Sequence, residues 1–238
     1  MLFRKRLPSA SRALAGVAAS IAALGLVNCT SLMTTSRDGT LDANFTPSAR
    51  SGRMTLSDVM NANGTYIGRL LFDRDSTVER WPNHVDEPIK VWIDSSSTIG
   101  GTMAGFPNAV REAFDEWAAT GIPLRFAYVG KPGDADIRVR WTDHLERKTG
   151  STTWKTDRRG WLTSSDITLA THVGSGDALD ARGMQAIALH EVGHALGLSH
   201  SDDGHDIMAP LVRVTELSEA DRSTMKLLYS FSAGHVGP

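Results

Sequence analysis

One run, His190-Glu191-Val192-Gly193-His194-Ala195-Leu196-Gly197-Leu198-Ser199-His200, constrains this chain more than any other stretch. On a helix, His190 and His194 stand one turn apart on the same face, so both imidazoles reach a common point. Glu191 follows the first histidine, and its carboxylate lies beside that point without occupying it. Gly197, three residues after the second histidine, can take a positive φ, end the helix and turn the chain back. That return brings His200 in from outside the helix. Three neutral ring nitrogens and one open position make the catalytic type of tetrahedral zinc site. At this chain's own residue frequencies, a bare His-Glu-x-x-His arises by chance in roughly one such chain in a hundred. Adding Gly197 and His200 lowers that to roughly three in 100,000. A single helix-face histidine is usually a satisfied polar residue; three at ligand spacing, with the acid and the glycine, point to a metal.

The same run resembles the zinc motif of the metzincin metallopeptidases. Ser201, directly after His200, resembles the matrixin branch, the matrix-metalloproteinase-like enzymes. Asp206-Ile207-Met208-Ala209-Pro210 is similar to their Met-turn, and the resemblance implies that Met208 lies beneath the ligands as a soft apolar floor. Pro210 stands where astacin- and serralysin-like relatives carry a tyrosine ligand. Leu217-Ser218-Glu219-Ala220-Asp221 and Leu227-Leu228-Tyr229 resemble the matrixin C-terminal helix. Ser218 suits an N-cap, with Asp221 three residues on. Read alone, Asp221 is a surface cap; the resemblance implies that it hydrogen-bonds the Met-turn backbone.

This similarity covers about residues 85–230. It implies an α+β domain with a twisted, mixed five-stranded sheet, a backing helix, an active-site helix, a Met-turn and a C-terminal helix. It implies one catalytic Zn(2+) on His190, His194 and His200, with Glu191 as the base that activates a water. A protein or peptide substrate would lie extended along a strand edge, within residues 150–157 or 165–171. Residues 209–216 would wall the pocket for the side chain after the scissile bond, with Leu211 and Val212 making it apolar. Asp136 aligns with a calcium-binding aspartate, which leaves Ca(2+) as a second candidate ion. His144 and His172 do not reproduce the spacing of the family's structural zinc site. The rival reading is a non-catalytic, zinc-stabilised envelope interaction module. Glu191 speaks against it, because a structural site needs ligands and not a base.

The N-terminus carries a different signal. Residues 1–28 hold Arg4, Lys5, Arg6 and Arg12 and no acid, and an apolar run occupies residues 13–27. A basic start followed by a short apolar run is the pattern of an export signal. Fifteen residues are too few to span a bilayer comfortably as a helix. Cys29, the chain's only cysteine, follows in Leu26-Val27-Asn28-Cys29, which resembles the lipobox of bacterial lipoproteins. The resemblance implies a lipidated Cys29 and a membrane anchor, although Asn28 stands where a small residue is usual. One cysteine also excludes an internal disulfide framework. Without residues 1–28 the chain keeps 21 basic and 27 acidic residues, a net charge of −6. That acidity excludes a phosphate-neutralising surface, so no nucleic-acid partner is expected. The protein is expected to act as a monomer.

Residues 29–54, rich in Ser, Thr and Gly, read as a flexible tether. Residues 55–84 form an N-terminal extension, either a short propeptide or an elaboration of the domain. Within it Asn63-Gly64 is a turn signal, and residues 66–72 read as a strand. Residues 85–232 hold the metal-binding domain, and 233–238 a tail. Ile89, Val91 and Ile93 alternate as in a half-buried strand. Val110, Phe114 and Trp117 form one apolar stripe on a helix over 107–120, stopped by Gly121. Leu124, Phe126 and Tyr128, then Ile137, Val139 and Trp141, and finally Ile167 and Leu169, alternate again. The aromatics among them read as core.

Overall fold

The computed structural model describes residues 27–28, 64–95 and 105–236. The expected export signal up to residue 26, Cys29 and the expected tether lie outside the described residues. In chain order the described elements are β1 (Val27–Asn28), α1 (Ile67–Asp73), β2 (Thr77–Val78), β3 (His84–Ile93), α2 (Phe106–Ala118), β4 (Leu124–Tyr128), β5 (Ile137–Thr142), β6 (Gly150–Thr156), β7 (Leu162–Ala170), α3 (Ala181–Ala195), β8 (Leu211–Val212), α4 (Glu219–Ser230) and β9 (Gly234–His235), with a 3-10 turn, Pro132–Asp134, between β4 and β5.

Five strands form one mixed sheet in the order β4-β3-β5-β7-β6. β3 runs parallel to β4 and β5, and β5 parallel to β7; only β6 turns back antiparallel. The period-2 patterns settle which face is inside. Ile89, Val91 and Ile93 on β3, Ile137, Val139 and Trp141 on β5, and Ile167 and Leu169 on β7 are all buried. They form one apolar face, as alternation requires. Two helices cover it. α2 buries Val110, Phe114 and Trp117, and Trp117 donates its indole N–H to the Leu189 carbonyl of α3 at 2.9 Å. Gly121 takes φ +88° where α2 must stop, a conformation that costs glycine little.

Three expectations change. The strand expected over residues 66–72 is instead a helix, Ile67–Asp73, with Tyr66 at its N-cap. Ile67, Leu70 and Leu71, spaced i, i+3 and i+4, are buried together, which a helix allows and a two-residue alternation does not. Phe72 points away and is 80% exposed. Tyr128 is not core: it is exposed at the end of outer strand β4, where Arg111 lies over its ring. The 165–171 edge is also removed, because β7 is paired on both sides, by β5 and by β6. β6 is an outer strand of the sheet. Among the described residues no helix is long and apolar enough to cross a membrane.

The described part of the extension packs as a layer of the domain. The Tyr66 N–H donates to Thr224 Oγ1 of α4 at 3.0 Å. Trp81 donates its indole N–H to the Ala195 carbonyl at the end of α3, at 2.8 Å. β2 pairs with β9, so residues 77–78 and 234–235 lie side by side.

Candidate metal centre

α3 begins at Asp180, whose side chain accepts the Gly183 N–H at 2.7 Å, an N-cap that satisfies an otherwise unpaired helix donor. It ends in a Schellman motif. The Leu198 N–H bonds the Gly193 carbonyl at 2.9 Å and the Gly197 N–H bonds the His194 carbonyl at 3.0 Å. Gly197 itself sits at φ +109°, the left-handed step this motif needs. A Cβ there would also run into the Glu79 carbonyl. The chain therefore swings back, and His200 joins the two helix histidines.

The three rings converge. Nε2 of His194 lies 3.0 Å from Nε2 of His190 and 3.3 Å from Nε2 of His200. His190 Nδ1 faces the Ile207 carbonyl at 2.7 Å, and His194 Nδ1 faces the Leu198 carbonyl at 2.8 Å. A carbonyl only accepts, so each of these Nδ1 atoms carries the proton and each Nε2 presents a lone pair. Two lone pairs at 3.0 Å do not bond each other; they suit a cation that both can face. Tetrahedral zinc, with Zn–N of about 2.05 Å, sets its nitrogens about 3.3 Å apart. The donor set therefore fits zinc. Burial reinforces it by disfavouring charged rings. Desolvation, with His200 close by, pushes the His190 pKa down to about 3, desolvation holds His194 well below the usual value, and His200 is lowered by the same cause. All three stay neutral and ligand-competent near pH 7.

Glu191 is fully buried beside them. The Thr152 hydroxyl on β6 lies 2.6 Å from Glu191 Oε2. Beneath the histidines, Met208 is buried, and its carbonyl accepts the Ser201 N–H at 2.9 Å. A Cβ added at Gly193 would collide with the Met208 sulfur and crowd the Trp117 ring. Only a glycine lets the 206–210 turn approach the helix so closely.

Asp221 holds that turn from below. Its Oδ2 accepts the Ile207 N–H at 2.8 Å, its Oδ1 accepts the Met208 N–H at 3.4 Å, and the Tyr66 hydroxyl donates to Oδ1 at 2.9 Å. It also closes a capping box with Ser218. Asp221 thus caps α4 and braces the turn at once, and it is buried, not a surface residue. Burial raises its pKa, partly offset by the N–H donors of Ser218 and Ile207. The buried Asp206 accepts from the hydroxyls of both Ser201 and Ser218.

With this geometry in view, sequence comparison becomes specific. The matrixin (Peptidase_M10) family profile matches residues 89–230, more than half of the chain. The chain belongs to the matrixin family. Among curated proteins it is similar to "Matrix metalloproteinase-C" of Caenorhabditis elegans, 28% identical over 156 residues, covering 53% of this chain and 25% of that protein. It is also similar to "Probable matrix metalloproteinase 095L" of Invertebrate iridescent virus 3, 28% identical over 138 residues, covering 50% of this chain and 37% of that one. "Metalloendoproteinase 1" of Glycine max is 32% identical over 76 residues, covering 30% of this chain and 23% of that one. The chain thus spans well under half the length of each of these relatives.

The remaining candidates fall outside the centre of this matrixin. Among the described residues, no second group of three or more His, Cys, Asp or Glu side chains converges. Asp136, just before β5, accepts the Lys90 N–H of β3 on Oδ2 at 2.8 Å. His144 and His172 come together with ring centroids 5.2 Å apart, and among the described residues no third His, Cys, Asp or Glu converges with them. Sequence reading missed Thr152, Gly193, Tyr66 and Arg74. Gly193 had a signal: a glycine in mid-helix costs about 1 kcal/mol against alanine and marks a close approach. Arg74, buried, donates to the Gly197 carbonyl at 2.9 Å and the Leu198 carbonyl at 3.4 Å, bracing the turn that carries His200.

Proposed function

We propose that this matrixin is a zinc-dependent endopeptidase. The observation that carries the reading is three converging, neutral imidazoles with a buried glutamate beside them that belongs to no ligand set. A structural zinc site closes with four protein ligands; a catalytic one keeps a position open. His190, His194 and His200 would hold the ion, which when bound supplies Lewis acidity and lowers the pKa of a water toward 7. Glu191 would take the proton of an attacking water as the peptide carbonyl is attacked and return it to the departing amine. The carbonyls of Ile207 and Leu198 keep the helix histidines in one tautomer and orientation throughout.

The substrate class follows from the sheet edge. An extended peptide adds to β6 through main-chain hydrogen bonds, and residues 209–216 wall the pocket beyond the scissile bond. The antiparallel pairing of Val27–Asn28 with Leu211–Val212 supports a wall that accepts extended chain. Export through residues 1–28, a lipid anchor on Cys29 and a monomeric state complete the proposal.

Replacing Glu191 with alanine separates this reading from an envelope interaction module. Glu191→Ala is expected to keep about one zinc per chain, because three ligands remain, and to lose casein cleavage. Full cleavage by that variant would remove Glu191 from its role. A zinc-loaded wild-type protein that cleaves no member of a peptide library would favour the module.

A further inference from the structure

Neighbouring groups must fix the orientation of the Glu191 carboxylate for it to act as a base. Two residues on alternate positions of β6 do so. Gly150 and Thr152 share the buried face of this strand. The Glu191 carboxylate lies against the bare Cα of Gly150, where any Cβ would overlap Oε1, Cδ and Cγ. Its other oxygen, Oε2, lies 2.6 Å from the Thr152 hydroxyl, while the Glu191 main-chain carbonyl is 3.1 Å from the same hydroxyl. A hydroxyl has one proton to give, and the shorter, charge-assisted partner takes it. Thr152 is fully buried, so water does not compete for this bond.

We infer that Thr152 is the positioning residue for the Glu191 carboxylate: its hydroxyl holds Oε2 and so fixes the plane of the group. The inference rests on the peptidase reading. It adds that the outer strand assigned to substrate also sets the orientation of the base. Anchoring one oxygen removes the carboxylate's freedom to rotate about Cγ–Cδ, and Gly150 supplies the space in which the anchored group fits. β-Strand and helix are thereby coupled through one side chain, without contact between Thr152 and the substrate's reacting atoms.

The test uses the full chain loaded with zinc and compares Thr152→Val, which keeps the shape and loses the donor, with Thr152→Ser, which keeps the donor. Loss of a group that orients a catalytic residue typically costs about 10–100-fold in activity. Thr152→Val is expected to lower kcat by about that factor, with KM and zinc content unchanged. Thr152→Ser should restore kcat to within about threefold of wild type. Thr152→Ala, which cannot overpack, should show the same loss as the valine variant and serves if that variant does not fold. Wild-type kcat in Thr152→Val or Thr152→Ala would overturn the inference, as would a serine variant as slow as they are. Absence of cleavage by the wild-type protein itself would instead overturn the peptidase reading, so the two failures are distinguishable.

Discussion

At the level of single residues, the centre is built from groups that burial keeps uncharged. His190, His194 and His200 are each harder to protonate in the folded protein than in the unfolded chain, first because they are desolvated. A depressed histidine pKa means that the unfolded chain binds more protons at acid pH, so stability falls as pH falls. The metal-free protein should therefore lose stability as pH drops through about 6.5, and for His190 the loss should continue toward about 3. Urea unfolding of the metal-free protein is expected to show a lower midpoint at about pH 5 than at about pH 7; equal midpoints would contradict this account. These three residues, with Gly197, were legible in the sequence because their spacing within a short run carries the geometry; Met208 and Asp221 were reached only through the resemblance to the matrixins. Thr152 and Arg74 were not. Each meets its partner across 39 and 123 residues respectively, and no local pattern reports which strand faces Glu191 or what lies beneath Gly197.

At the level of elements, strand alternation and the helical stripe of Val110, Phe114 and Trp117 led to four of the five sheet strands and to the backing helix, because one buried face dictates each period; the fifth strand, β6, came only with the family resemblance. The failure at residues 66–72 has the same physics. Seven residues with five apolar side chains fit either period, and the partner that decides, α4, lies more than 140 residues away in the chain. The helix found there has a consequence for where the domain starts. α1 and the segment after it supply the Tyr66 hydroxyl to Asp221, Arg74 to the 197–198 turn and Trp81 to the end of α3. A fragment beginning at residue 84 would leave several buried acceptors without donors, each costing about 1–3 kcal/mol. We expect fragment 64–236 to be soluble and to bind zinc, and fragment 84–236 to be insoluble or metal-free. Equal zinc content in the two would show that the extension is dispensable.

At the level of the whole molecule, the family match and the fold meet in one acidic domain, and the basic residues near the chain's start fall in the segment proposed for export. That division makes a prediction about the mature protein. Mass spectrometry of the native N-terminus is expected to show a chain that begins at Cys29 and carries acyl groups. Burial of each acyl CH₂ in lipid contributes about 0.8 kcal/mol to anchoring. An unmodified Cys29 would end the lipoprotein proposal and leave the peptidase reading untouched.

Arg74 and Glu79 sit together inside the protein, 3.7 Å apart, with the Trp154 indole N–H donating to Glu79 at 3.0 Å. Losing either partner would strand a charge away from water, at a cost of roughly 3–5 kcal/mol. Neither position can drift by itself over generations. Descendants of this sequence should keep both residues or exchange both together, and that shared inheritance governs the bend delivering the third imidazole from a stretch that precedes the region by which kinship is recognised.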